Sequence, residues 1–411
     1  MSGLAQIPPA PSVRPLQALL IKPAGPDCNL ACRYCFYLQK AALFPDSKRH
    51  RISNPVLEAT IRQALESGSP MVNFGWQGGE PTLMGLDFFR CAVQLQQSLS
   101  FPGQQVANGL QTNGLLLDEN WAAFLRDHRF LVGLSLDGPA HIHNHYRRTA
   151  GDADCYPRVI RAARRLRTAG VQTNALTVIH DYSVRFPEEI YDFHRSEGLR
   201  WMQFIPCLEP DPAAPGRPAA FSAPPRAYGE FLCRVFDRWI ADFRDGWPRT
   251  SVRWFDSLFH TYVGQPAPEC TLLPECGVYV VVEHNGDVYC CDFYVESRWR
   301  LGNVLEGDLL DMLNSTRQRE FGRIKAALPR ECADCPWLDH CRGGCPKDRQ
   351  FTPSAGGTNY FCESYRLFFE HADARLRRLA ADWRRRQAAS PVGGATTTSP
   401  ARPRRKRVHR R

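Results

Sequence analysis

Three cysteines, Cys28, Cys32 and Cys35, follow a short apolar run in the spacing Cys-x3-Cys-x2-Cys and place three thiolates on one loop. Thiolates are soft ligands that suit iron–sulfur clusters or zinc. A cubane cluster held by three thiolates keeps one iron open to a further molecule, whereas the four-thiolate sites of ferredoxins are closed. Zinc is the alternative, but the spacing is unusual for it and no fourth ligand is near. Eight more cysteines stand late in the chain, as Cys270-x5-Cys276-x14-Cys291 and as Cys332-x2-Cys335-x5-Cys341-x3-Cys345-x16-Cys362. They suffice for two four-thiolate sites. Zinc is again the alternative, although of the close Cys-x2-Cys knuckles it prefers only Cys332-x2-Cys335 is present. Asp292 directly follows Cys291 and reads either as a carboxylate with the short reach that general-base work needs or as a loop carboxylate that bonds nearby backbone donors. Cys91, Cys155, Cys207 and Cys233 lack ligand-like spacing and read as buried free thiols. His141, His143 and His145 alternate without a cysteine or carboxylate in zinc spacing and read as polar loop residues.

The elements that must position these groups are legible as alternating patterns. Apolar or β-branched runs at Leu16–Ile21, Met71–Trp76, Val106–Gln111, Leu131–Leu136, Val171–Ile179 and Trp201–Ile205 predict six strands. Segments with helical spacing lie between them, at Asn54–Ser67, Leu86–Ser98, Glu119–Asp127, Tyr156–Ala169 and Phe186–Glu197. This βα alternation predicts a parallel sheet, which right-handed crossovers curl into an open or partial barrel. Small and polar residues mark the C-terminal ends of the strands: the cysteine triplet, Gly78-Gly79-Glu80-Pro81, Gln111-Thr112-Asn113-Gly114 and Ser135-Leu136-Asp137-Gly138. Active sites of parallel barrels are built from those ends. Glu80 suits a cationic amine, and two glycines allow close backbone approach to a ligand. Past Pro206 the pattern breaks into Pro-rich sequence, followed by a helical stretch near Tyr228–Asp242 and a new unit from about Cys270.

Charge narrows the function classes. The net charge is +10, but residues 384–411 hold ten Arg or Lys and no acid, which leaves 42 basic against 42 acidic residues elsewhere. A neutral body argues against nucleic-acid binding, which needs a basic face on the folded domain. The tail is poor in apolar residues and is expected to be disordered. Prolines at 8, 9, 11 and 15 interrupt any secretory core, and no apolar run approaches the ~20 residues of a membrane helix. The chain therefore reads as soluble and cytoplasmic, a compartment in which sixteen cysteines point to metal rather than disulfides.

Cys-Asn-Leu-x-Cys-x-Tyr-Cys-Phe-Tyr at Cys28–Tyr37, followed by Gly78-Gly79-Glu80-Pro81, resembles the radical S-adenosylmethionine (SAM) superfamily. The resemblance implies an α/β fold, a partial (β/α)6 TIM-like barrel followed by a cysteine-rich SPASM domain. It implies that the cofactor's methionyl group chelates the open iron and that the Gly78-Gly79-Glu80 segment holds its amine. It sets Tyr34 in the cofactor site and assigns the carboxylate to Ser135 and Arg158. The later cysteines resemble the SPASM extension, in which two auxiliary [4Fe-4S] clusters have interleaved ligands. Carried over, Cys270, Cys276, Cys291 and Cys345 bind one, and Cys332, Cys335, Cys341 and Cys362 the other, for three [4Fe-4S] clusters in all. Cys291 rather than Cys290 is selected because it directly precedes Asp-Phe-Tyr-Val.

Within the superfamily the chain most resembles anaerobic sulfatase-maturating enzymes, through Ile21-Lys22-Pro23, Trp76-Gln77-Gly78-Gly79-Glu80-Pro81, Gln111-Thr112-Asn113-Gly114, Ser135–Pro139 and Val288–Val295. That implies oxidation of a cysteine or serine in a sulfatase, within Cys/Ser-x-Pro/Ala-x-Arg, to Cα-formylglycine. Asp292 becomes the base, Tyr37 and Gln77 line the substrate site, and the auxiliary clusters take the electron. A flavodoxin or ferredoxin is the expected electron donor, and the chain is expected to act as a monomer. The competing expectation is a SPASM peptide modifier that forms thioether or other crosslinks. The expected organisation is an N-terminal extension at 1–15, the barrel at 16–225, a linking helical segment at 226–269, the auxiliary-cluster domain at 270–383 and a basic tail at 384–411. The loop from Arg147 to Cys155 belongs to none of the shared motifs.

Overall fold

The apolar run ahead of the cysteine triplet forms strand β1, Ala18–Lys22, whose Leu19 and Ile21 are almost wholly buried. In the computed structural model, which describes residues 13–45, 48–214, 216–351 and 357–389, β1 sits inside a ten-stranded sheet. Strands β2 (Met71–Trp76), β3 (Gln105–Thr112), β4 (Leu131–Ser135), β5 (Gln172–Ile179) and β6 (Trp201–Pro206) follow it in spatial order, each parallel to the last. Pairings such as Ile21 with Trp76, Trp76 with Leu110 and Thr112 with Leu134 bring the strand ends to one rim. All six expected strands are present within two residues of their expected bounds.

The intervening helices are α1 (Asn54–Glu66), α2 (Leu86–Leu99), α3 (Glu119–Asp127), α4 (Ala140–Tyr146), α5 (Tyr156–Ala169) and α6 (Pro187–Ser196). Helix α1 shows why they pack: Val56, Leu57, Thr60, Ile61, Ala64 and Leu65 recur at three and four residues and are buried on one face. Asp118 caps α3 by accepting from the Trp121 amide at 2.9 Å. Gly170 ends α5 at φ +81°, a conformation that a Cβ disfavours. The alternating histidines lie on α4, not on a loop, and His143 is fully buried there. The chain enters this helix directly after Pro139, which is why the three histidines are helical.

Helix α7 (Pro225–Ala241) leads to β7 (Ser251–Val252) and α8 (Arg253–Tyr262). The cysteine-rich region then returns to the same sheet. Strand β8 (Val280–Glu283) pairs in parallel with β1, and the antiparallel β9 (Asp287–Tyr289) and β10 (Arg300–Asn303) extend that edge. Sheet order is β10-β9-β8-β1-β2-β3-β4-β5-β6-β7, so the barrel stays open between its edges. A helix at Cys362–Ala389 lies along α7, where a Cβ on Gly229 would stand 2.8 Å from Ser364 Cα. Phe236 meets Phe368 edge to face in the same seam.

This helix runs past residue 384, where the sequence reading began the basic tail; residues 390–411 and 1–12 lie outside the described residues. Of the four cysteines without ligand spacing, Cys155 and Cys207 are buried, Cys233 is half-buried and Cys91 is exposed. Cys91 departs from expectation because it falls on the outer face of α2. Among the described residues no helix is long and apolar enough to cross a membrane.

Candidate active site

A cavity of about 460 Å³ opens over the rim of the sheet. Its wall includes Cys28, Cys32 and Cys35 from the loop after β1, Gln77 to Glu80 after β2, Gln111 to Asn113 at the end of β3, and Ser135 at the end of β4. Cys270, Cys276, Cys291 and Cys345 line the same cavity, as do the aromatic rings of Phe36, Phe293 and Tyr294.

The triplet loop is held by a strap that the sequence reading left unexplained. Ala31 N–H donates to the Arg148 carbonyl at 2.8 Å, Arg33 N–H donates to that of Tyr146 at 3.0 Å, and Leu30 bridges Thr149. Beneath the strap, Asp137 is fully buried and accepts from Arg147 Nε at 2.9 Å, Tyr34 OH at 2.5 Å and Val178 N–H at 2.9 Å. Burial, the largest single influence, raises the Asp137 carboxyl, but the charge and hydrogen bond of Arg147 together with His143 and His180 hold the group below its ordinary range. Arg147 also lines the cavity and tempers the rise of the Cys32 thiol. Arg158 does not reach the cavity wall: on the exposed face of α5 its guanidinium donates to the Leu115 carbonyl at 3.3 Å.

The two glycines serve a backbone contact as well as the cavity. A Cβ on Gly79 would fall 2.0 Å from the Asp27 carbonyl oxygen, and Gly78 has φ +121°. Gly79 and Glu80 N–H groups donate to Gly25 and Asp27 at 2.8 Å, tying the end of β2 to the loop entering Cys28. Glu80 is 1% exposed. Its Oε1 accepts from Thr82 N–H, Thr82 Oγ1 and Thr112 Oγ1 at 2.6–3.0 Å, and its Oε2 from Asn113 N–H at 2.8 Å. Burial raises its pKa, with these hydrogen bonds opposing the rise.

Asp292 stands between two cavity-lining donors: Gln77 Nε2 gives to Oδ2 and Tyr279 OH to Oδ1, each at 3.2 Å. Cys291 Sγ lies 3.6 Å from Oδ1. Tyr37, expected at the substrate, is not among the residues that line the cavity. Its hydroxyl donates to Glu283 at 2.6–2.7 Å, and Lys22 Nζ sits 3.7 Å from its ring centre. Glu283 and Lys22 are register partners on β8 and β1 and are buried to within 1%. A tyrosine here satisfies a buried charge pair, which the cysteine motif alone does not reveal.

The thiols fit iron–sulfur clusters by donor type and by grouping. All sixteen cysteines are free. Burial pushes the Cys28 thiol up to about 12 and those of Cys32, Cys270 and Cys341 up to about 11, an environment in which thiolates call for a bound cation. The late cysteines sort into two neighbourhoods. Cys291 feels the charge of Cys345, Cys345 that of Cys270 and Cys276, while Cys341 feels Cys362, Cys332 and Cys335. Among the described residues no group of three His, Cys, Asp or Glu side chains is arranged to hold a single ion. Cys290 belongs to neither group; it is 1% exposed and packs with Trp299 and Phe321.

Residues 23–194 match the radical SAM superfamily, and residues 275–336 match the SPASM iron–sulfur cluster-binding domain. The chain is 38% identical over 367 residues to a cysteine-type anaerobic sulfatase-maturating enzyme of Clostridium perfringens, an alignment covering 89% of this chain and 99% of the relative. It is 35% identical over 379 residues to a serine-type enzyme of Bacteroides thetaiotaomicron, covering 88% and 90%. The solved structure of anSMEcpe with bound AdoMet and Cp18Cys peptide superposes with a TM-score of 0.83 at 37% identity, covering 90% of this chain and all of that one. This chain belongs to the anaerobic sulfatase-maturating enzymes.

As a radical SAM enzyme this maturase uses S-adenosylmethionine and iron–sulfur clusters. Two residues that line this cavity were not legible in the sequence. Arg147 was legible only as the start of a variable loop, and nothing local marks it as the buried partner of Asp137. Tyr279, three residues after Cys276, stands in none of the recognised motifs. Replacing Arg147 by methionine is expected to cost about 3–5 kcal/mol, because it leaves Asp137 as an uncompensated buried charge. The same change at exposed Arg158 is expected to stay within about 0.5 kcal/mol. Anaerobic denaturant titration checks both; equal midpoints would remove the pair's structural role. Because the folded Asp137 pKa is depressed, its contribution is present above the ordinary value of 3.8 and is lost as pH falls through the lower folded value.

Proposed function

We propose that this enzyme oxidises a cysteine or serine side chain of a sulfatase to Cα-formylglycine by radical chemistry. The observation that carries this reading is one cavity lined by the Cys28–Cys35 loop, the Gly78-Gly79-Glu80 edge, and Gln77 and Tyr279, the two residues that donate to Asp292. Cys28, Cys32 and Cys35 hold a cluster with an open iron. Gly78, Gly79 and Glu80 face the cofactor amine, Ser135 faces its carboxylate, and Tyr34 closes the site behind Cys35. Arg147, which lines the cavity, supplies the guanidinium for that carboxylate in place of Arg158.

Bound cofactor and clusters supply a radical that removes a Cβ hydrogen and an acceptor for the second electron. The chain's own residues do the rest. Asp292, oriented by Gln77 and Tyr279, takes the thiol or hydroxyl proton. Loss of one hydrogen atom, one proton and one electron leaves a carbon–sulfur or carbon–oxygen double bond at Cβ, and water replaces sulfur in the cysteine case. Cys270, Cys276, Cys291 and Cys345 hold the auxiliary cluster beside Asp292; Cys332, Cys335, Cys341 and Cys362 hold the outer one. A low-potential carrier of the flavodoxin or ferredoxin class provides the starting electron, and the enzyme acts as a monomer in the cytoplasm.

The test is anaerobic incubation of reconstituted enzyme with Cys-x-Pro-x-Arg and Ser-x-Pro-x-Arg peptides, reductant and S-adenosylmethionine. An aldehyde that reacts with a hydrazide probe is the expected product, from a brown protein with about twelve irons per chain. A thioether or crosslink without aldehyde would instead support a different peptide modification.

A further inference from the structure

The Tyr279 hydroxyl stands within reach of two groups that the proposed reaction uses, Asp292 Oδ1 at 3.2 Å and Cys291 Sγ at 3.4 Å. Its ring lines the cavity, and its carbonyl is held by the buried Gln318 Nε2 at 2.9 Å, so the phenol is delivered from a fixed backbone. Residue Val280, next in sequence, is already in register with Leu19 of β1.

We propose that Tyr279 is a positioning residue for the oxidation, orienting the Asp292 carboxylate while hydrogen-bonding the Cys291 sulfur. A phenol has one donor hydrogen, and an ionised carboxylate only accepts. With Cys291 ligating a metal its sulfur carries no proton, and both neighbours of the hydroxyl become acceptors. That one O–H then serves the carboxylate and the sulfur together. Gln77 holds the other carboxylate oxygen, so the pair of donors fixes the carboxylate plane, and near-attack geometry depends on such restraint. A hydrogen bond to a cluster sulfur is also a lever on reduction potential. Tyr279 thereby joins the proton acceptor to the ligand of the proposed electron acceptor through one atom. This rests on the reading of Asp292 as base and Cys291 as ligand.

Tyr279→Phe keeps the ring and removes the hydroxyl. In reconstituted holoenzyme, loss of one hydrogen bond is expected to lower kcat about tenfold with the peptide KM within about twofold. The auxiliary cluster nearest Asp292 should shift to a more negative potential in an anaerobic redox titration, while the cluster on Cys28–Cys35 keeps its value. A purely structural role would instead raise KM and lower iron content together, and that result overturns the proposal. Wild-type kcat with unmoved potentials overturns it as well. Asp292→Asn assayed alongside separates the two levels. Full turnover in that variant removes the base itself, whereas an inactive Asp292→Asn beside a fully active Tyr279→Phe removes only the role of Tyr279.

Discussion

Cys28→Ala is expected to abolish cleavage of S-adenosylmethionine. Three thiolates on one loop are the minimum that leaves a single iron open, and Cys28 has no substitute among its neighbours: Asn113 Nδ2, 3.8 Å from its sulfur, is a donor and not a ligand. The late cysteines line up with other elements and should keep their metal, so the variant is expected to lose about four of about twelve irons and to stay folded. No 5'-deoxyadenosine should form with any peptide present. Chromatography of the nucleoside product, with iron analysis on the same sample, checks this, and sustained cleavage would mean that the triplet is not the radical-generating site.

Asp292→Asn should act at a later step. Asparagine keeps the size of the side chain and a carbonyl oxygen for one of the two donors, but it cannot accept the substrate proton. General-base contributions run to about 10²–10⁴-fold, so aldehyde formation is expected to fall by that factor while the nucleoside is still produced. The ratio of nucleoside to aldehyde therefore rises steeply. Near-equal amounts of the two, the ratio expected of the parent enzyme, would sink the assignment of Asp292 as base. On the proposed reading, Cys28 and Asp292 divide the reaction into a part that makes the radical and a part that completes the oxidation.

The barrel was open to reading because each βα unit carries its own signal. A parallel strand buried on both faces is a continuous apolar run, and a covering helix repeats its apolar residues every three to four positions. Local periodicity therefore located β1 to β6 and most of their helices. It failed at α4, a single short helix too brief to show a period, and at β8, whose valines pair with β1 across some 260 residues of chain. The cysteines announced metal because their side-chain chemistry is specific, and the resemblance to known enzymes divided the late eight into two sets. Spacing alone does not make that division, since Cys345 lies four residues from Cys341 yet neighbours Cys270 and Cys276.

Side-chain type and local order in this sequence therefore determined the βα architecture, the metal-suited cysteine sets and the carboxylate beside Cys291, while the resemblance carried by its motifs named the cofactor. Tertiary structure decided which arginine reaches the cavity, that Tyr37 turns to Glu283, and that Tyr279 joins Gln77 at Asp292. The physical reason is the range of the forces involved. Helix and strand periods are written over ten residues or so, while a buried charge finds its partner wherever the folded chain brings one within hydrogen-bond distance.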